Sequence, residues 1–122
     1  MLIPVIRVTN MARAVDFYSR VLDFTHHGTW PAMADPAYAV MLRDGAEMHL
    51  SSYPSDTVGQ TVMVRVADVD AVHRALLARG LDQSHRADSP VHLGPTDQSW
   101  GTREFYAADP DGNTICYAQL LG

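Results

Sequence analysis

A six-residue pattern that occurs twice constrains this chain more than any other feature. Ile6-Arg7-Val8-Thr9-Asn10-Met11 lies over Val64-Arg65-Val66-Ala67-Asp68-Val69, an offset of 58 residues (64 − 6). Each copy runs from a strand-like stretch into a helix-capping residue and then an apolar helix start. Further on, Asp44-Gly45 lies over Asp111-Gly112, an offset of 67 (111 − 44). Each of these is the turn before the last strand of its half. An element order that repeats together with its punctuation marks a duplicated unit.

The elements follow from pattern and turn chemistry. Leu2–Val8 reads as a strand, with Pro4 suited to an edge. Thr9 or Asn10 caps a helix over Met11–Leu22, in which Met11, Ala14, Val15, Tyr18, Val21 and Leu22 share one face. A strand begins at His26 and breaks at Pro31, and Met33–Pro36 is loop. Tyr38–Arg43 and Glu47–Ser52 form a hairpin across Asp44-Gly45. In the return strand Glu47, His49 and Ser51 face one way, Met48 and Leu50 the other. The turn-rich Tyr53–Gln60 links the halves. Thr61–Val66 is a strand, Asp68 caps a helix over Val69–Arg79, and Gly80 ends it. Ser84–Asp88 begins another strand, Val91–Leu93 is extended, and Gly94–Ser99 is a loop. Glu104–Ala108 and Thr114–Gln119 close the chain as a hairpin around Asp109-Pro110-Asp111-Gly112-Asn113.

The order β-α-β-β-β thus appears twice. The expected fold is α+β: one domain of two paired modules, about residues 1–56 and 57–122, whose mixed sheet curves around a cavity with the helices outside. At 122 residues the chain is one domain's worth. A formal charge of −5 disfavours nucleic acid as a partner. No run approaches the roughly 20 apolar residues of a membrane span, and Met1–Arg7 lacks the pattern of a signal peptide. The single cysteine, Cys116, cannot form an internal disulfide. These features lead to the expectation of a cytoplasmic protein.

Trp100-Gly101-Thr102-Arg103-Glu104-Phe105, followed by Asp109-Pro110-Asp111-Gly112-Asn113, resembles the closing strands of the vicinal oxygen chelate superfamily. That superfamily includes glyoxalase I, extradiol dioxygenases, fosfomycin-resistance enzymes and bleomycin-binding resistance proteins. The Trp-Gly-x-Arg-Glu-Phe block is most similar to the bleomycin-resistance branch. The resemblance implies the doubled module over essentially the whole chain. It also implies drug sequestration without metal chemistry, in grooves between two subunits that exchange strands. Trp100, Gly101 and the strand after them carry over from that branch.

Metal-dependent members of the superfamily carry His and Glu ligands on the first and last strands of each module. The resemblance maps those positions to Ile3, His49, Thr61 and Cys116, again 58 and 67 residues apart (61 − 3 and 116 − 49). Only His49 suits a hard or borderline divalent ion, short of the three protein ligands that a catalytic site normally has. No metal and no other cofactor is therefore expected. His26 and His27 are adjacent and point apart in a strand, and His73 is expected on the polar side of its helix. No phosphate loop, serine nucleophile elbow or Cys-x-x-Cys is present. Cys116 reads first as a small buried thiol, and Arg103 and Glu104 as strand-end charges.

Aromatic side chains cluster on the strands and loops expected to ring the cavity, and flat rigid rings suit a flat heteroaromatic ligand. The expected ligand contacts are Trp30, Tyr38, His49, Ser51, Trp100, Gly101, Phe105 and Cys116. The expected function is metal-independent binding of an aromatic or cationic antibiotic, or of a metabolite, by a homodimer. The alternative is a metal-dependent glyoxalase- or dioxygenase-like enzyme with displaced ligands; a regulatory module that binds no drug stands beside both.

Overall fold

Asn10 and Asp68 start the two helices where the repeat puts them. The Asn10 side chain accepts from the Arg13 backbone N–H at 3.0 Å, and that of Asp68 from Ala71 at 3.1 Å. Each supplies a partner to a backbone donor that the first turn leaves open. The computed structural model describes residues 1–82 and 89–122, so the strand expected over Ser84–Asp88 lies outside the described residues.

The first module runs β1 (Val5–Arg7), α1 (Met11–Asp16), β2 (Thr25–Trp30), β3 (Tyr38–Arg43) and β4 (Ala46–Ser51). The second runs β5 (Thr61–Arg65), α2 (Val69–Ala78), β6 (Thr96–Asp97), β7 (Thr102–Ala108) and β8 (Thr114–Leu120). Among the described residues the strands form two four-stranded mixed sheets, ordered β1-β4-β3-β2 and β5-β8-β7-β6. In each, the first strand pairs parallel with the last and the other pairings are antiparallel. Val5 stands opposite His49, and Met63 opposite Cys116. The register therefore carries both sequence offsets, 58 (63 − 5) and 67 (116 − 49). The two hairpin turns match as well: Gly45 and Gly112 both have φ of +79°, a conformation that a side chain disfavours.

Several boundaries differ from the expectation. Leu2–Pro4 lie ahead of β1 rather than in it. The helical face over Met11–Leu22 holds, but Phe17–Val21 is a π-helical turn, which keeps Tyr18, Val21 and Leu22 buried. Pro90–His92 is a 3₁₀ turn rather than an extended segment. The loop before Trp100 contains β6, whose Thr96 and Asp97 pair with Glu104 and Arg103. A two-residue strand has no periodicity to read.

By contact the chain forms two compact units. One is Met1–Gln60 with Asp109–Asn113; the other is Thr61–Ala108 with Thr114–Gly122. In the first, α1 packs on β3 and β4, with Ile6, Met11, Tyr18, Met41 and Leu50 fully buried. In the second, α2 packs on β7 and β8 over Leu76, Phe105, Ile115 and Tyr117. Burying each such side chain contributes about 1.5–3 kcal/mol. The Asp109–Asn113 turn, although it joins two strands of the second sheet, packs in the first unit. Asp109 accepts there from the Tyr18 hydroxyl at 2.9 Å and from Asn113 N–H at 2.7 Å. Asn113 Nδ2 donates to the Arg7 carbonyl at 2.9 Å, and Arg13 pairs with Asp111 at 3.1 Å.

Candidate functional site

The first sheet has one face covered by α1 and one that α1 leaves open. Strand alternation puts Ala39, Met41, Met48 and Leu50 on the covered face, all buried. The open face is built in rows set by register. Trp30, Tyr38, Ser51 and Arg7 form one row across all four strands. Gly28, Val40, His49 and Val5 form the next. Four residues expected as ligand contacts, Trp30, Tyr38, His49 and Ser51, thus share one face of one sheet.

Trp30 is 52% exposed, and its indole folds back over Gly28, where a Cβ would collide with the ring. Glycine at this bulged position allows the close approach. Tyr38 and His49 meet edge to face at 5.1 Å between ring centres. The Tyr38 hydroxyl lies 2.7 Å from His49 Nδ1, and His49 Nε2 lies 2.6 Å from Glu47 Oε2. Each ring nitrogen of His49 thus has its own oxygen partner, a phenol at Nδ1 and a carboxylate at Nε2, which fixes the ring between them. The chain Tyr38–His49–Glu47 holds three polar groups in fixed positions on the open face, beside Ser51 and Arg7.

In the second unit the remaining expected contacts separate. Trp100 is 66% exposed in the turn before β7, and Gly101 has φ of +92°. Gly101 joins the turn to the sheet end, donating to the Gln98 carbonyl at 3.1 Å and accepting from Leu121 N–H at 2.9 Å. Phe105 is fully buried, stacked on Tyr117 at 5.1 Å and edge-on to His73 at 4.8 Å. His73 accordingly turns toward the sheet, not toward the polar side of its helix. Cys116 lies on the other face, paired in register with Tyr106 and beside the buried Glu104. Glu104 accepts from the Thr102 hydroxyl at 2.9 Å and from the Tyr106 hydroxyl at 3.3 Å. Arg103, its sequence neighbour, instead bonds Asp70 and Asp97 at 3.0 Å each.

Burial first, and Glu104 second, push the Cys116 thiol up to about 12. Burial, Cys116 and Glu104 likewise raise the Tyr106 phenol. The nucleophile is the thiolate, so Cys116 is expected to stay unmodified by iodoacetamide at pH 8 over hours in the folded protein and to react only on unfolding. Stoichiometric modification of the native protein within minutes, read by mass spectrometry, would contradict this.

The four positions that the resemblance maps to metal ligands do not offer a full donor set among the described residues. Ile3 has no ligand atom and Thr61 only a neutral hydroxyl. Both ring nitrogens of His49 are already hydrogen-bonded. Cys116 holds its proton well above neutral pH. Among the described residues no three His, Cys, Asp or Glu side chains are grouped to hold a metal ion.

A family profile described as the Glyoxalase/Bleomycin resistance protein/Dioxygenase superfamily matches residues 3–117. The chain belongs to that superfamily. Solved structures in or near it share the fold at low identity. TioX from Micromonospora sp. ML1 is 23% identical, covering 98% of each chain, with a TM-score of 0.77. A bleomycin resistance determinant encoded on the transposon Tn5 is 17% identical over 98% of this chain and 97% of its own, also with a TM-score of 0.77. A bleomycin-binding protein complexed with bleomycin is 18% identical over the same shares, with a TM-score of 0.74. No curated protein matches the chain. Among the described residues, no helix of this superfamily member is long and apolar enough to cross a membrane.

Arg7 and Glu47 are the site residues that sequence reasoning missed. Arg7 is a charge inside an apolar strand, and alternation alone puts it on the same side as Val5, away from buried Ile6. Glu47 shares the face of His49 by the same rule, but its bond to the ring depends on side-chain geometry.

Proposed function

We propose that this superfamily member binds a flat small molecule, an antibiotic or a metabolite, and acts by sequestering it without a metal of its own. The observation that carries the reading is the half-exposed Trp30 in register beside Tyr38, whose hydroxyl is fixed by His49 and Glu47. A rigid aromatic surface with a few oriented polar groups is the usual make-up of a small-molecule site. Its low conformational entropy favours stacking. The lack of a fitting donor set at Ile3 and Thr61 supports binding over metal-assisted turnover. Trp100, exposed in the Gly101 turn, supplies a second stacking surface in this reading.

Bleomycin is the first compound to try, since the bleomycin-binding protein shares this fold. Tryptophan fluorescence titrated with bleomycin and with flat or cationic antibiotics is expected to show saturable quenching by at least one of them. Trp30→Ala and Trp100→Ala are each expected to weaken that ligand by about 1–3 kcal/mol, measured by calorimetry because each removes one of the two fluorescent reporters. Dialysis against EDTA should leave the affinity unchanged. Absence of quenching across the panel would sink the reading, and affinity restored by added divalent metal would overturn its metal-independent part.

A further inference from the structure

We propose that Arg7 and the hydroxyls around it form a binding site for a small oxyanionic group, a phosphate or a carboxylate. A pocket of about 230 Å³ opens in the first unit beside β1, lined by Arg7, Ser51, Tyr53, Ser55, Thr57 and Gln60. It lies below the roughly 300–1,000 Å³ of sites for drug-sized ligands, so it fits a charged group rather than a whole drug.

The charge pattern sets its preference. Arg13, Arg20, Arg43 and Arg103 each sit against an aspartate at 3.0–3.1 Å. Arg7 has no ion pair among the described residues, and its Nε is buried without a hydrogen-bond partner. A buried donor on a charged group is costly to leave unbonded, and no carboxylate lines the pocket. The hydroxyls are arranged as donors. Ser51 Oγ accepts from Tyr53 N–H at 3.4 Å, and Ser55 Oγ accepts from Thr57 N–H at 3.1 Å. Each bond uses a lone pair and leaves the hydroxyl proton for a ligand. Gln60 does not compete: its amide accepts from Arg7 N–H and donates to the Val5 carbonyl, both at 2.6 Å. A guanidinium fork with hydroxyl donors and no anion of its own is complementary to an oxyanion. In a chain of net charge −5, such a place stands out against the surrounding field.

This anion site is separate in chemistry from the aromatic-ligand surface. Ser51 faces both Tyr38 and Arg7 in register, but anion capture needs no stacked ring.

The test is an amide chemical-shift titration of the whole chain with inorganic phosphate, and separately with acetate, at constant ionic strength with chloride as the control. Saturable shifts centred on Arg7, Ser55 and Thr57 are expected with at least one of the two. Which anion saturates identifies the group. Arg7→Gln is expected to weaken binding at least tenfold. Should that variant fail to fold, Ser55→Ala combined with Thr57→Val is expected to weaken it severalfold. Shifts that do not saturate, that chloride reproduces, or that survive the variants would overturn the proposal. Because no aromatic ligand is present, that failure would leave the proposed function untouched.

Discussion

Replacing Asp109 by alanine is expected to destabilise the protein by about 3–5 kcal/mol, among the largest effects of any single polar substitution in it. Asp109 accepts from the Tyr18 hydroxyl, from the backbone N–H of Asp111 and Asn113, and from Asn113 Nδ2, at 2.7–2.9 Å. It is buried, as are Tyr18 and Asn113. Each bond to a charged acceptor contributes about 1.5–3 kcal/mol, and a donor left unbonded in a dry site costs about 1–3 kcal/mol. Alanine removes the acceptor for four donors at once, although relaxation and water entry recover part of the loss. Urea unfolding followed by circular dichroism measures it. Tyr18→Phe, which deletes one donor and leaves the carboxylate otherwise bonded, should lose only about 1 kcal/mol. A loss below about 1 kcal/mol for Asp109→Ala would show that the turn is held by its backbone and by Asn113, not by this carboxylate.

Phe105→Ala is expected to cost about 3–5 kcal/mol by the same measurement, the range for truncating a fully buried aromatic. Its ring stacks on Tyr117 of β8 and meets His73 of α2 edge-on, so closing the cavity requires those elements to move. This substitution separates two roles that a sequence reading combines. As part of the core, Phe105 affects ligand affinity only through the folded fraction, and the affinity of the folded protein stays within about twofold. A large loss of affinity with little loss of stability would restore it to the ligand surface.

The fold was legible because its signals are local and doubled. Asn10, Asp68 and Gly80 punctuate the helices, Asp44-Gly45 and Asp111-Gly112 punctuate the hairpins, and β4 and β5 alternate between them. Elements with no period of their own were hidden: β6 with two residues, and the 3₁₀ turn at Pro90–His92. The π-helical turn was hidden for the opposite reason, since the apolar spacing of Tyr18, Val21 and Leu22 suits it as well as an α-helix. For the candidate site, alternation along β4 was enough to put His49 and Ser51 on one face. It could not bring Tyr38 to His49, because that contact depends on the register between β3 and β4. Nor could it place Phe105 apart from Cys116, since only the pairing of Phe105 with Tyr117, and Tyr106 with Cys116, puts the two on opposite faces. Arg103 and Glu104 look like a surface pair in one dimension. Alternation sends one to Asp70 and Asp97 and buries the other beside Cys116.

The Asp109–Asn113 turn has a consequence for the order in which this chain can fold during synthesis. The first sixty residues contain every strand of the first sheet, yet the acceptor for Tyr18, the donor to the Arg7 carbonyl and the acceptor for Gln60 N–H all come from residues 109–113. As it leaves the ribosome, that half lacks these three contacts until residues 109–113 have emerged. A duplicated gene whose copies once folded alone would have had to meet them within one copy, or borrow the same turn from a second molecule. In this chain the turn arrives on the same polypeptide, and the first repeat is not self-sufficient without it.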